Sequence, residues 1–323
     1  MIADPRDITI AAAHIRAGGL VAFPTETVYG LGADALSPTA IAKVYQAKGR
    51  PSATPLIIHV SNIDMAQSLT SGWNEYAQKL ALAFWPGPLT MVLPKASCVP
   101  DIATSGAPNV AVRMPNHPTA LALITAFGGP LVGPSANPSG RISPTCAEHV
   151  RSNFNPAHVS VLDGGPCERG IESTVISLVG TPRILRQGII GAAEIGQVLG
   201  TDVLVETRRE TDPHAKLESP GTSMMHYAPF KPAYLVSANS LVKFLETKHD
   251  VTVIAISDVP ARSDRTIIRM PADDKRYAAT IYGALHDADS DPSKVIVIEE
   301  PPKSGELWLA VHDRLSRATV RPL

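Results

Sequence analysis

Cysteine is scarce in this 323-residue chain. Cys98, Cys146 and Cys167 stand far apart, with no Cys-x-x-Cys and no adjacent Cys/His pair. That spacing argues against a disulfide scaffold and a zinc site, and each cysteine reads as a small packing residue. The ten histidines form no His-Glu-x-x-His or His-x-x-x-His pair, so no metal ligand set is expected. Neither Gly-x-x-x-x-Gly-Lys-[Ser/Thr] nor Gly-x-Gly-x-x-Gly occurs, and any phosphate would have to be met by dispersed lysines and arginines. An excess of charge of one sign is also missing: 29 Lys+Arg face 30 Asp+Glu, a net charge of -1. Stable nucleic-acid binding is therefore not expected, although a small nucleotide is compatible. No apolar run is long enough to span a bilayer and the first residues are polar, which predicts a cytoplasmic protein without a membrane partner.

The chain does have enough apolar residues, 44%, for a large core, and its length favours two domains. Charge density divides it. Residues 1–200 hold 13 Lys/Arg and 12 Asp/Glu, whereas 201–323 hold 16 and 18. The expected division is 1–205, a linker at 206–229 that lies over the site, and 230–323. In the first part short apolar segments alternate with amphipathic ones. Strands are expected at Leu20 to Phe23, Pro55 to Val60, Leu89 to Leu93, Val110 to Met114, Pro130 to Gly133, His158 to Leu162, Ser173 to Val179 and Arg183 to Arg186. Asp7 is expected to cap the first helix and Ser37-Pro38 to open the second. The fold class is α/β, a twisted mixed sheet with helices, followed by a small three-layer βαβ, Rossmann-like domain. That smaller domain is read as βαβαβα, with strands at Ala233 to Val236, Val251 to Ile256 and Lys294 to Glu299.

Polar loops interrupt the first part where strands and helices end. After Phe23 comes Pro24-Thr25-Glu26-Thr27-Val28-Tyr29-Gly30, three hydroxyls and a carboxylate at a strand terminus. A β-turn is the plain alternative. Lys48-Gly49-Arg50-Pro51 follows a helix, either as decoration of its C-terminus or as a phosphate clamp. Arg113 sits inside an apolar strand and needs a partner, either a ligand anion or a nearby Asp or Glu. Ser135 and Asn137 project to one side of the Pro/Gly loop at 133–141. Glu172-Ser173-Thr174 opens one strand and Leu185-Arg186-Gln187-Gly188 ends another. No Ser-His-Asp, Cys-His or paired-carboxylate arrangement is evident.

In this order, Thr-Glu-Thr-x-Tyr-Gly-Leu, Lys-x-Arg, Ser-x-Asn, Glu-Ser-Thr and Leu-Arg-x-Gly resemble the YrdC family. Ser219-Pro220-Gly221 and His226-Tyr227-Ala228-Pro229 before an extra domain resemble its long, two-domain form. The resemblance implies an enzyme, a nucleotidyltransferase that forms L-threonylcarbamoyladenylate and pyrophosphate from L-threonine, bicarbonate or CO2, and ATP. That product serves threonylcarbamoyladenosine modification of tRNA, so downstream threonylcarbamoyl transferase proteins are implied partners and Mg2+ is implied with ATP. By motif, Thr27, His59, Arg113, Ser135 and Ser173 would surround the threonine. Lys48, Arg50, Thr54, Asn137, Ser143 and Arg186 would hold ATP, with Tyr227 covering it. Lys48 and Arg50 are the expected catalytic pair, neutralising charge on the triphosphate, because such a reaction needs positioning more than a protein nucleophile. Between Gly221 and His226 the chain reads Thr-Ser-Met-Met, where the family is usually more basic. Other readings are a carbamoyl-transfer module of the hydrogenase-maturation type, without its Cys-rich zinc segments, a non-catalytic nucleotide- or RNA-binding protein, and a threonine/ATP sensor.

Overall fold

Short apolar runs broken by proline, glycine and charged turns give short strands, and the computed structural model, which describes residues 2–206 and 226–320, gathers them into two sheets. The strands are β1 (Leu20–Phe23), β2 (Gly30–Asp34), β3 (Ile57–His59), β4 (Leu89–Pro94), β5 (Asn109–Arg113), β6 (Leu131–Val132), β7 (Val159–Val161), β8 (Thr174–Ser177), β9 (Arg183–Arg186) and β10 (Leu204–Val205) in the larger part. The smaller part has β11 (Ala233–Val236), β12 (Val251–Ala255), β13 (Arg265–Arg269) and β14 (Val295–Glu299). The helices are α1 (Pro5–Arg16), α2 (Pro38–Lys48), α3 (Ile63–Ser68), α4 (Glu75–Phe84), α5 (Asp101–Thr104), α6 (Pro118–Phe127), α7 (Ala147–Arg151), α8 (Ala192–Leu199), α9 (Ala238–Glu246), α10 (Asp274–Ser290) and α11 (Glu306–Ala318).

Among the described residues the larger sheet runs β10-β9-β8-β4-β5-β3-β6-β2-β1-β7 and is mixed. The smaller one runs β11-β14-β12-β13 and is wholly parallel. Three expectations need correction. The first helix is capped by Asp4, whose side chain accepts from Arg6 N, with Pro5 at the first helical position; Asp7 lies inside the first turn. The stretch after Tyr29 is a strand, β2, because Gly30 and Gly32 leave room for the Phe23 ring of β1; a Cβ at Gly32 would stand 2.9 Å from that ring. The smaller domain has a fourth strand, β13, half-exposed at the sheet edge, where alternation and terminal arginines masked it. The larger sheet ends at Val205 and the smaller begins at Ala233, while most of the expected linker, including Ser219-Pro220-Gly221 and Thr222 to Met225, lies outside the described residues.

The main core packs β1 to β5 against α2 and α4 through residues such as Leu31, Ile41, Ile58, Leu80 and Met91, all wholly buried. Each such side chain contributes about 1.5–3 kcal/mol of transfer free energy. A second core is shared: Val28, Ile142 and Ile171 of the larger part pack with Tyr227 and with Tyr277, Ile281 and Leu315 of the smaller. The two domains therefore meet over apolar surface. Among the described residues no helix is long and apolar enough to cross a membrane.

Candidate active site

Pro24 ends β1, and Thr25 then organises the turn. Its hydroxyl donates to Val28 O at 2.7 Å and accepts from the amides of Thr27 and Val28, a side-chain-built turn. Tyr29 anchors the far end by donating its buried hydroxyl to Gly165 O at 2.8 Å. The turn thereby aims Thr27, wholly buried, at Arg113 on the last position of β5: Arg113 Nη1 donates to Thr27 Oγ1 at 3.0 Å. The same guanidinium makes a buried ion pair with Glu26, Nη2 to Oε2 at 2.7 Å, without hydrogen-bond alignment. Of the two partners foreseen for Arg113 the local carboxylate is present as Glu26, while Nε donates to Gly87 O at 3.3 Å and the residue also lines the cavity.

That cavity is lined by Thr27, His59, Arg113, Ser135, Ser173 and Arg186, with Arg50 and Glu172 beside them and His226 and Tyr227 above. His59 ends β3 with Nδ1 unpartnered; burial, then Arg113, holds its pKa well below the usual imidazole range, so it is neutral. Arg50 follows the left-handed Gly49 that terminates α2, and its Nε is buried without a protein partner. Burial lowers its pKa to about 10, with Arg186 adding repulsion. Arg186, at the end of β9, donates from Nε and Nη2 to Ser173 O and from Nη2 to Ser173 Oγ. Tyr227 has φ 64°, and its hydroxyl is buried without a partner; burial and then Glu172 push its pKa up to about 12. Next to it burial drives His226 down to about 3. The segment after the roof is fastened by Ala228 N donating to Gly140 O at 2.9 Å and by Arg141 lying 3.8 Å over the Phe230 ring.

Four expected nucleotide residues stand outside this lining. Lys48 is 2% exposed, and its ammonium donates to the carbonyls of Ser135 and Asn137, tethering the loop that carries Ser135. Asn137 Nδ2 donates to Pro138 O and Arg141 O, while its Oδ1 is buried without a partner. Ser143 donates to Glu172 Oε1 at 2.7 Å. The Thr54 carbonyl accepts from Tyr45 OH, and its side chain is half-buried. Sequence reasoning gave no role to Glu172, although its Glu-Ser-Thr motif was in view. It also missed Tyr282 and Arg314, which lie more than 100 residues away and carry no local signal. A larger, open concavity of about 850 Å3 lies on α8, but alanines, glycines and Gln197 line most of it and no charges converge there.

The site cavity measures about 50 Å3 as the roof now lies. Its lining holds three guanidiniums and one carboxylate, Glu172, which already faces Arg314, while Glu26 pairs with Arg113 from behind the lining. Such a lining suits a substrate with anionic ends and hydroxyls between.

Residues 13–188 match the Sua5–YciO–YrdC family, described as telomere recombination, and 190–320 match the family described as the threonylcarbamoyl-AMP synthase C-terminal domain. The chain is 39% identical to a threonylcarbamoyl-AMP synthase of Pyrococcus abyssi over 97% of this chain and 94% of that one. It is 38% identical to one of Bacillus subtilis over 98% and 93%. Its fold is similar to a crystal structure of P. abyssi Sua5 complexed with L-threonine, with a TM-score of 0.89 and 37% identity over 99% and 97% of the two chains.

Proposed function

The chain belongs to the Sua5–YciO–YrdC family, and on that premise we propose that it is an enzyme forming L-threonylcarbamoyladenylate and pyrophosphate from L-threonine, bicarbonate or CO2, and ATP. The observation that carries the reading is the cavity itself: two buried arginines, a half-buried third and the hydroxyls of Thr27, Ser135 and Ser173 converge on one space. The threonine carboxylate lies against Arg113, beside Thr27, Ser135, Ser173 and His59. Arg50 and Arg186 take the triphosphate, with Tyr227 across the nucleotide. The neutral threonine amine first adds to CO2 and gives up a proton to solvent, forming a carbamate; from bicarbonate the same carbamate forms with loss of water. A carbamate oxygen then attacks the α-phosphorus, the bond to the bridging oxygen breaks, and pyrophosphate leaves with that electron pair. Fixed guanidiniums in a water-poor cavity stabilise the charge that develops, at no cost in reorganisation.

Mg2+ comes as part of the ATP substrate, since Mg2+ keeps most of its waters and binds through phosphates. Among the described residues no group of three or more His, Cys, Asp or Glu would cage a metal, and Glu172 in the cavity lining and Glu26 beside it are each paired with arginine. Pockets for ligands of this size occupy about 300–1,000 Å3, so Tyr227 and His226 have to retreat for both substrates to enter. The product passes to a threonylcarbamoyl transferase that modifies tRNA.

Purified protein incubated with ATP, labelled bicarbonate and threonine is expected to yield the mixed anhydride by mass spectrometry, and omission of any one substrate to abolish it. Binding without pyrophosphate release would mean a sensor. Arg50→Ala is expected to lose ATP use, and Arg113→Ala to raise the KM for threonine by roughly tenfold or more, the loss of a charged hydrogen bond. Pyrophosphate release at the wild-type rate in both variants would sink the site assignment.

A further inference from the structure

Glu172 is gripped from both domains. In the larger one Ser143 Oγ donates to its Oε1 at 2.7 Å; from the smaller, Tyr282 OH on α10 and Arg314 Nε on α11 donate to Oε2 at 3.0 and 3.2 Å. Burial alone would raise the Glu172 pKa, yet Arg314 and Arg186 outweigh it and the carboxyl stays ionised below its ordinary range. Arg314 is 1% exposed and reaches further. Its Nη1 donates to Gln187 O at 2.7 Å, one residue past Arg186, and its guanidinium carbon stands 5.9 Å from the centre of the Tyr227 ring. The Tyr282 ring stacks on Tyr227 with centroids 5.7 Å apart.

Two side chains of the second domain therefore touch Glu172, two residues before β8, Gln187, the residue after β9, and the roof, which together bound the side of the cavity where Arg186 lies. Stability is a poor account of this arrangement. A buried ion pair gains little over apolar contact because desolvation offsets the attraction, and an apolar core already joins the domains. What such a network does supply is orientation of the groups it holds.

We propose that Arg314 and Tyr282 are positioning residues for adenylate formation. Acting through Glu172, Gln187 and Tyr227, they hold Arg186 and the roof in register for ATP. The second domain thereby completes the nucleotide half of the cavity, while the threonine half is built by the first domain alone. This inference rests on the function proposed above.

The test uses full-length Tyr282→Phe, Arg314→Lys and Arg314→Ala. Tyr282→Phe keeps the stacked ring and removes one hydroxyl, so it tests the idea even if Arg314→Ala does not fold. Expected are a rise in KM for ATP of roughly tenfold for Tyr282→Phe and more for Arg314→Ala, the scale of hydrogen bonds to a charged group. The KM for threonine should stay within about twofold, and Arg314→Lys should recover part of the loss without restoring the fork. Calorimetric titration with a non-hydrolysable ATP analogue should weaken in the same order. Unchanged ATP KM and analogue affinity in variants that melt like wild type would overturn the proposal. So would a parallel loss of threonine and ATP affinity that tracks the melting temperature, which would leave only a structural role. If wild type makes no adenylate while the variants still weaken analogue binding, the proposed reaction fails and the positioning role stands.

Discussion

A lysine ammonium removed from water has to find oxygen acceptors, and Lys48 finds the main-chain carbonyls of Ser135 and Asn137. Burial, then Arg50, holds its pKa well below the ordinary lysine value. Its contribution in this structure is geometric: it ties the end of α2 to the loop bearing Ser135, which Ser139 N reinforces by donating to Lys48 O. Lys48→Met would keep the stem and strand two buried carbonyls, a cost of roughly 1–3 kcal/mol. Thermal melting is expected to show that loss, together with weaker binding of an ATP analogue. Arg50 and Arg113 were legible in the sequence because their neighbours constrain them, Pro51 in one case and an apolar strand in the other. The tether made by Lys48 was not, because its acceptors lie 87 and 89 residues onward and main-chain carbonyls leave no mark on composition. The bond from Ser143 to Glu172 was concealed in the same way, its partners standing 29 residues apart.

Strand β2 shows how packing overrides propensity. Glycine is depleted in strands, and Gly30-Leu31-Gly32 reads as loop on that ground. Here the missing side chains are the reason for the strand, since Phe23 across the antiparallel pair fills the space they leave. Gly32→Ala would push a methyl to within 2.9 Å of both the Phe23 ring and the Val21 carbonyl, and backbone cannot step aside cheaply. The expected destabilisation is about 1–3 kcal/mol, as for other overpacked sites, read from the urea midpoint at constant slope. Strands that are mostly apolar and buried, such as β4 and β12, were plain in the sequence, whereas β13 was hidden by its half-exposed alternation. The mixed order of the large sheet had a visible cause, several strands joined too closely for a crossover helix. The pairing partners themselves depend on contacts distant along the chain, and no local pattern announces them.

At the scale of the whole molecule, two histidines lie face to face across the domain boundary. His149 of α7 and His286 of α10 stack with centroids 3.8 Å apart, His286 Nε2 lying 3.2 Å from Ser143 O. Burial, then His149, lowers the His286 pKa from 6.5 to about 4; burial also lowers His149, although Asp287 and Glu148 counter it. Because the folded values lie below the unfolded ones, the stability this pair lends is complete above about pH 6.5. It is lost as pH falls towards 4, where the unfolded chain binds the extra protons. The melting temperature is expected to drop across that window, and His286→Gln to flatten the drop relative to wild type. A wild-type slope retained by the variant would refute it.

Tyr227 gives the roof a mechanical character. A bulky residue at φ 64° sits in a conformation that costs of order 1–3 kcal/mol, and its phenol is held dry with nothing to bond. Packing of the ring against Tyr282 and its nearness to Arg314 offset these penalties in part. The closed roof is thus a wound spring, its catch made by the second domain. Release of that contact would let the backbone relax and the phenol be hydrated, so the opening proposed for substrate entry is expected to recover part of what closure costs.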